Sequence, residues 1–372
     1  MAEPRKIILI LGNGFDLDLG LKTSYKDFWE SEFCPKDYPA PIIYHLNQRW
    51  EDNLEAVKWY DLENELLNYY KTLRDPNLGA DILTTEEINF LRDFTSYGFL
   101  CGWYDEKIDL VNSLVNKGVL LYRESFRPAI DEHYKEDALK SPIWRDFKAF
   151  GLIKEGLCKY LDTVVLPNNS TSTIAYQVLA FLDEEAIKGS VVNIYSFNYT
   201  PVILMGRGPD AAKVHHIHGS CKEGRIIVGT RDDPTIVPSY DFLQKSFDPA
   251  FNPPALVEDL NDADEVVIYG HSIGENDRQY FKAFFKQQTD FSHPRRKDIT
   301  IFTCDYDSER QIKRSLQSMT DGNLSVLCSL NNMQIIKTSN IKDDQQKLCN
   351  FLVKHGKEEL ATRSFIGKLL GR

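Results

Sequence analysis

Two textures alternate along this chain: short unbroken apolar runs, and longer stretches with apolar residues spaced by three and four. Lys6-Ile7-Ile8-Leu9-Ile10-Leu11 is a continuous aliphatic and β-branched run, as expected of a strand covered on both faces in a parallel sheet. Similar runs recur at Val191–Tyr195, Lys213–Ile217, Arg225–Val228, Glu265–Tyr269, Asp298–Phe302 and Met333–Lys337. Between the first run and the second, helical spacing dominates. Amphipathic helices are expected from Leu46 to Leu67, Thr85 to Phe94, Ile108 to Tyr134 and Ile143 to Leu161. The polar loop Pro167–Ser172 would cap another helix starting near Thr173. The pattern predicts an α/β fold, a Rossmann-type parallel sheet with a large, mostly helical insertion after the first βα unit. Residues 1–30 with 185–340 would form the sheet domain, 31–184 the insertion and 341–372 a C-terminal helical tail.

Composition narrows the partners. Hydrophobic residues make up 42% of the 372, ample for a core, and 44 basic against 55 acidic residues leave a net charge of −11. That balance disfavours nucleic acid and anionic membrane surfaces as partners. No apolar run approaches the roughly 18 residues of a membrane span, and no signal-type run stands near the start, so a cytoplasmic protein is expected. The seven cysteines include no Cys-x-x-Cys pair. They read as buried thiols in a reducing compartment rather than as a disulfide framework or zinc knuckle. The basic tail Arg363–Arg372, with Phe365, Ile366, Leu369 and Leu370, suits docking on the protein or on a second subunit. Trp59, Asp61 and Glu63 suit core or salt-link roles on a helix.

Four clusters carry candidate chemistry. The first strand ends in Gly12-Asn13-Gly14-Phe15-Asp16, a strand-turn-helix arrangement whose backbone N–H groups can face a phosphate. The full dinucleotide fingerprint is absent, since Leu17 stands at its third glycine. The Asp16 carboxylate would repel a pyrophosphate, and suits ribose hydroxyls, a divalent cation or a loop amide. The second cluster is Phe197-Asn198-Tyr199-Thr200, with polar Asn198 at a strand's C-terminal end, where ligands collect in open α/β sheets. Asn198 could equally be a turn residue.

Three of the eight histidines fall in Val214-His215-His216-Ile217-His218-Gly219. Alternation puts His216 and His218 on one face and His215 on the other. His218, at the strand's end, suits a general base or a packed histidine. His216 and His218 could instead ligate a metal with Asp16 or Asp277 as a third ligand. In the last cluster, Gly270-His271-Ser272 through Asp277, Gly270 and Ser272 suit close contact with an adenosine moiety. Asp277 suits the start of a helix near Tyr280.

Taken in order, these clusters resemble the sirtuin-type NAD-binding fold and, more closely, the bacterial AbiH family of abortive phage-infection proteins. The run Gly12-Asn13-Gly14-Phe15-Asp16 through Thr23 to Phe28 is similar to the AbiH opening signature. Phe197-Asn198-Tyr199-Thr200, His218-Gly219 and Gly270-His271-Ser272 through Asp277 resemble motifs of prokaryotic sirtuin-like NAD hydrolases. The resemblance covers about residues 6–30 and 190–305. It implies a sirtuin-like sheet and an antiphage protein that hydrolyses NAD at the nicotinamide–ribose bond, with no metal. Asn198 would orient the water or ribose hydroxyls and His218 would act as general base. NAD would be held by Gly12, Asn13, Gly14, Asp16, Thr23, Tyr199, Gly219, Gly270, Ser272 and Asp277. Such an enzyme would stay silent until a phage-derived trigger arrived, and would be a homo-oligomer.

Three departures bear on this. Thr200 stands where the hydrolases usually have Asp, Asp16 replaces the small hydroxyl residue of the phosphate loop, and the zinc cysteines of protein deacetylases are missing. The first supports a rival, a non-catalytic module that senses NAD or ADP-ribose. A second rival is a metal-dependent phosphoesterase using Asp16, His216, His218 and Asp277.

Overall fold

The computed structural model describes residues 3–53, 61–74, 86, 137, 142–168, 170–202, 213–252, 255–292, 296–356 and 359–371. Of the expected helices, Thr85–Phe94 (apart from Glu86) and Ile108–Tyr134 lie outside the described residues, as does Trp59. The strands are β1 (Lys6–Leu11), β2 (Val191–Ser196), β3 (Lys213–His216), β4 (Gly219–Ser220), β5 (Arg225–Ile226), β6 (Glu265–Tyr269), β7 (Asp298–Thr303) and β8 (Asn332–Lys337). Six form one sheet in the order β3-β2-β1-β6-β7-β8, and every neighbouring pair is parallel. The chain winds outward from β1 to β3 on one side, then crosses back to build β6 to β8 on the other. This is the Rossmann order, and its reversal lies between β1 and β6.

The apolar run of β1 is unbroken because both of its faces are covered. Ile7, Leu9 and Leu11 belong to one core cluster, Ile8 and Ile10 to the other. Helix α1 (Asn13–Asp18) follows β1 directly, and α2 (Ile174–Ile187) packs into the first cluster. The opposite layer contains α3 (Leu256–Asp262), α4 (Arg278–Gln287), α5 (Tyr306–Met319) and α6 (Leu324–Leu330). Helices α7 (Ile341–Lys354) and α8 (Glu359–Leu369) return to the first layer, burying Ile366. The C-terminal tail is therefore docked on its own chain. The N-terminus of α2 is capped by Asp18, which accepts the Ala175 amide at 2.8 Å, and by the Thr173 hydroxyl, which accepts the Tyr176 amide at 3.2 Å.

One expected strand needs correction. Of Arg225–Val228 only Arg225 and Ile226 are extended, and they pair antiparallel with Gly219–Ser220 outside the main sheet. Ile226, Ile227 and Val228 are nevertheless buried. Their apolar run reported burial, which a short run cannot distinguish from sheet membership. Among the described cysteines none forms a disulfide, and Cys304 and Cys328 are exposed rather than buried. No described helix is long and apolar enough to cross a membrane.

Two compact units divide the chain. The sheet unit takes residues 1–23, 161–226 and 252–372; the second takes 24–160 and 227–251. The second unit includes the helices Tyr25–Glu30, Pro41–Asn53, Leu62–Arg74 and Pro142–Asp162. Ser24 and Asp27 start its first helix with a reciprocal capping box. Asp146, wholly buried, accepts from the Ile42 amide (2.9 Å) and from the hydroxyls of Tyr69 and Tyr240 (2.5 and 3.0 Å). Glu63 pairs with buried Lys245 at 2.9 Å, the salt link anticipated for it. Tyr240 and Lys245 thus anchor the returning segment 227–251 to the helices.

Candidate functional site

The glycines come first, because they determine how closely the strand ends approach. Gly12 and Gly14 meet Gly270 where β1 and β6 end. The Gly12 amide donates to the Tyr269 carbonyl and the Gly14 amide to the Gly270 carbonyl, both at 2.9 Å. A Cβ on Gly12 would lie 2.6 Å from His271 Cα, and one on Gly14 would lie 2.7 Å from Gly270 Cα. Gly270 has φ +64, and a Cβ there would lie 2.3 Å from Phe15 N. These glycines fit each other. Two of the turn's amides are thus satisfied inside the fold. Asn13 accepts the Thr23 hydroxyl at 2.6 Å, so Thr23 holds the turn.

A polar cluster sits at the adjoining ends of β1 and β2. Asp16 is 4% exposed, accepts the Thr200 hydroxyl, and is also hydrogen-bonded by the Asn198 side chain. Asn198 Nδ2 donates to the Gly12 carbonyl at 3.1 Å, and its backbone amide donates to Ser196 Oγ at 3.2 Å. Burial pushes the Asp16 carboxyl up to about 6, against the lowering effect of the Thr200 and Asn198 hydrogen bonds. Asp16, Ser196, Asn198 and Thr200 line a small cavity with Leu11, Phe15 and other apolar neighbours. Its volume is ≈ 10 Å³, about one water molecule's worth of space.

A second cluster lies among the residues of the opposite core layer. Asp277 is the N-cap of α4, as its position suggested, yet its side chain caps no amide. Its two oxygens instead meet His218 Nε2 and His271 Nε2, each at 3.3 Å. His271 Nδ1 accepts the Ile273 amide at 2.9 Å, which assigns the ring proton to Nε2 and makes that nitrogen the donor to Asp277. Ile273 is wholly buried with φ +51, an uncommon and strained conformation for a β-branched residue. The Phe197 ring lies 5.4 Å from His218 and 4.3 Å from His271, centre to centre.

The predicted residues therefore divide. Gly12, Asn13, Gly14, Asp16, Thr23 and Asn198 gather around the β1 turn, while His218 and Asp277 gather with His271. Residues 197–199 connect the two: the Phe197 ring packs on both histidines, His216 Nδ1 lies 3.3 Å from the Asn198 carbonyl, and the Tyr199 ring lies 6.4 Å from His218. Gly219, with φ +74 and a Cβ position 2.2 Å from the Arg225 carbonyl, is required by the β4–β5 hairpin. Ser272 is exposed. His216 and His218, paired as candidate metal ligands, take separate partners. Among the described residues no group of three or more His, Cys, Asp or Glu is arranged to hold a metal ion.

Sequence reasoning passed over His271, although a histidine between Gly270 and Ser272 at a strand end was the available signal. It also treated Asp16 and Thr200 as separate anomalies. No curated protein and no solved structure matches this chain. Residues 8–293 match the family described as bacteriophage abortive infection AbiH. With most of its length covered by that match, the chain belongs to the AbiH family of bacteriophage abortive infection proteins.

Proposed function

We propose that this abortive-infection protein acts on a nucleotide, hydrolysing NAD at the nicotinamide–ribose bond once infection releases it from a silent state. One observation carries the reading. The sheet has the Rossmann order, and at the C-terminal ends of adjacent strands it gathers Asp16, Asn198 and Thr200 around a cavity. Nicotinamide is a fair leaving group, so the protein need only hold both halves of NAD, exclude bulk solvent and position one water. Asn198 would orient that water or the ribose hydroxyls. Two groups stand as candidates for accepting the proton: His218 with Asp277 behind it, and Asp16 with Thr200.

The test is to follow nicotinamide and ADP-ribose when the purified chain meets NAD, alone and in extract from phage-infected cells. Wild type is expected to release both products, and Asn198→Ala to release them about tenfold more slowly or worse. NAD left intact in both conditions would sink the reading. A second reading, a non-catalytic sensor of NAD or ADP-ribose, is favoured by Thr200, which stands where the NAD hydrolases that the chain resembles usually have Asp. Saturable NAD binding without turnover would distinguish it.

A further inference from the structure

We propose that Asp16 is the proton acceptor of this site, its carboxylate taking the proton of the water that attacks C1′ of an N-ribosyl nucleotide. The assignment rests on the hydrolase reading above and names the group that performs its chemistry. Asp16 is buried and lines the cavity together with Ser196, Asn198 and Thr200. A carboxylate has about four lone-pair positions. The Thr200 and Asn198 side chains occupy some of them, which leaves acceptor capacity for a water in the cavity.

The other buried carboxylates of the sheet unit, Glu265, Glu309 and Asp344, are ion-paired, and the half-buried Asp18 and Asp277 are also engaged within the fold. Asp18 accepts the Ala175 amide and the Tyr269 hydroxyl, and Asp277 receives two imidazoles. Glu265 is paired with Arg5, Lys354 and His355. Among the described residues no Lys, Arg or His forms an ion pair with Asp16 or Asp18, and of these two carboxylates only Asp16 lines the cavity. A buried carboxylate without a counter-ion is costly to keep, and polar hydrogen bonds around a cavity give it a chemical use.

His218 is less well placed for the same task. Its Nε2 meets the Asp277 carboxylate, and the rings of Phe197, Tyr199 and Tyr280 pack around it. Phe197 and Tyr280 belong to the core layer opposite the one that supplies Leu11, Phe15, Leu19 and Leu21 to the cavity. His218 thus positions the segment 197–199 from behind. The two departures at 16 and 200 meet in the fold, the Thr200 hydroxyl donating to the Asp16 carboxylate.

The step balances without a co-reactant other than water. The water oxygen bonds to C1′ and the C1′–N bond breaks. Its electron pair goes to the ring nitrogen, so nicotinamide leaves neutral. The water proton passes to Asp16 and then to solvent. The titratable groups on the surrounding elements are Asp18 on α1, His216 at the end of β3 and Tyr269 at the end of β6. Burial lowers His216 and raises the other two.

The test compares wild type, Asp16→Asn and Thr200→Val in NAD hydrolysis across about pH 5 to 9, with NAD affinity and thermal melting measured on each protein. Asp16→Asn is expected to lower kcat about a hundredfold or more while NAD affinity changes less than about threefold. Thr200→Val is expected to stay active with its acid limb moved to higher pH, because it removes a donor that favours the carboxylate. A purely structural role would not move that limb. An Asp16→Asn rate near wild type overturns the assignment. If Asp16→Asn does not fold, an unmoved limb in Thr200→Val overturns it instead. If wild type releases no nicotinamide even in infected-cell extract, the hydrolase reading falls and takes the assignment with it.

Discussion

Gly270→Ala is expected to destabilise the protein by about 4 kcal/mol or more, enough to leave a marginally stable domain largely unfolded. Two effects add. The left-handed backbone at φ +64 disfavours any L side chain by roughly 1–2 kcal/mol. The new methyl would also stand 2.3 Å from Phe15 N, 2.4 Å from Gly14 C and 2.5 Å from Gly14 Cα. These are backbone atoms, so no rotamer change relieves the overlap. The turn after β1 must move, and the hydrogen bond from the Gly14 amide to the Gly270 carbonyl goes with it. Gly151→Ala is the control. It lies in the helix Pro142–Asp162 with nothing near its Cβ position, and is expected to gain about 0.5–1 kcal/mol. Urea denaturation of the two variants measures both effects. A Gly270→Ala protein as stable as wild type would mean that the two strand ends do not meet as described.

Glu265→Ala is the second large loss, about 3 kcal/mol at neutral pH. Glu265 is wholly buried at the start of β6, with Lys354 Nζ at 2.9 Å and His355 Nε2 at 3.3 Å on one oxygen and Arg5 on the other. Burial works to raise its pKa, but the hydrogen bond and charge of His355 and the charge of Lys354 outweigh it and hold the carboxyl below its ordinary value. Removing the carboxylate strands the wholly buried His355 and loosens two cations that are about one-third exposed. That exposure keeps the expected loss toward the lower end of the range for buried pairs. Because the folded-state pKa lies below the unfolded one, the stabilisation is fully present above the unfolded value and is lost as pH falls through the folded value. The gap between wild type and variant should therefore narrow in acid. Denaturation curves at neutral pH and near pH 3 check this, and a gap of the same size at both would contradict it.

Local pattern was enough for the sheet and not for its polar joints. The run Ile7–Leu11 announced a strand buried on both faces, and the spacing of apolar residues in Ile143–Leu161 announced the helix Pro142–Asp162. Asp277 was legible as a helix start because N-caps are a local matter. That its carboxylate would turn to His218 was not legible, since that ring comes from a separate strand end, whereas His271 stands in the same segment as Asp277 and was the nearer cue. The glycines at 12, 14 and 270 were legible as turn residues, but their mutual fit depends on segments more than 250 residues apart. For the same reason the Asp16–Thr200 contact, spanning 184 positions, was hidden. Residues 227–251 offered no cue that they would rejoin the helical unit, because their anchors Tyr240 and Lys245 find partners on helices far earlier in the chain.

The most direct measurement is a crystal structure of the protein soaked with ADP-ribose, the product the reading implies. The account predicts the ribose at the C-terminal ends of β1 and β2, within hydrogen-bonding reach of Asn198 and Asp16, and the phosphates beside the Gly12–Gly14 turn. ADP-ribose bound on the helical unit, with the cavity at Asp16 unchanged, would contradict it.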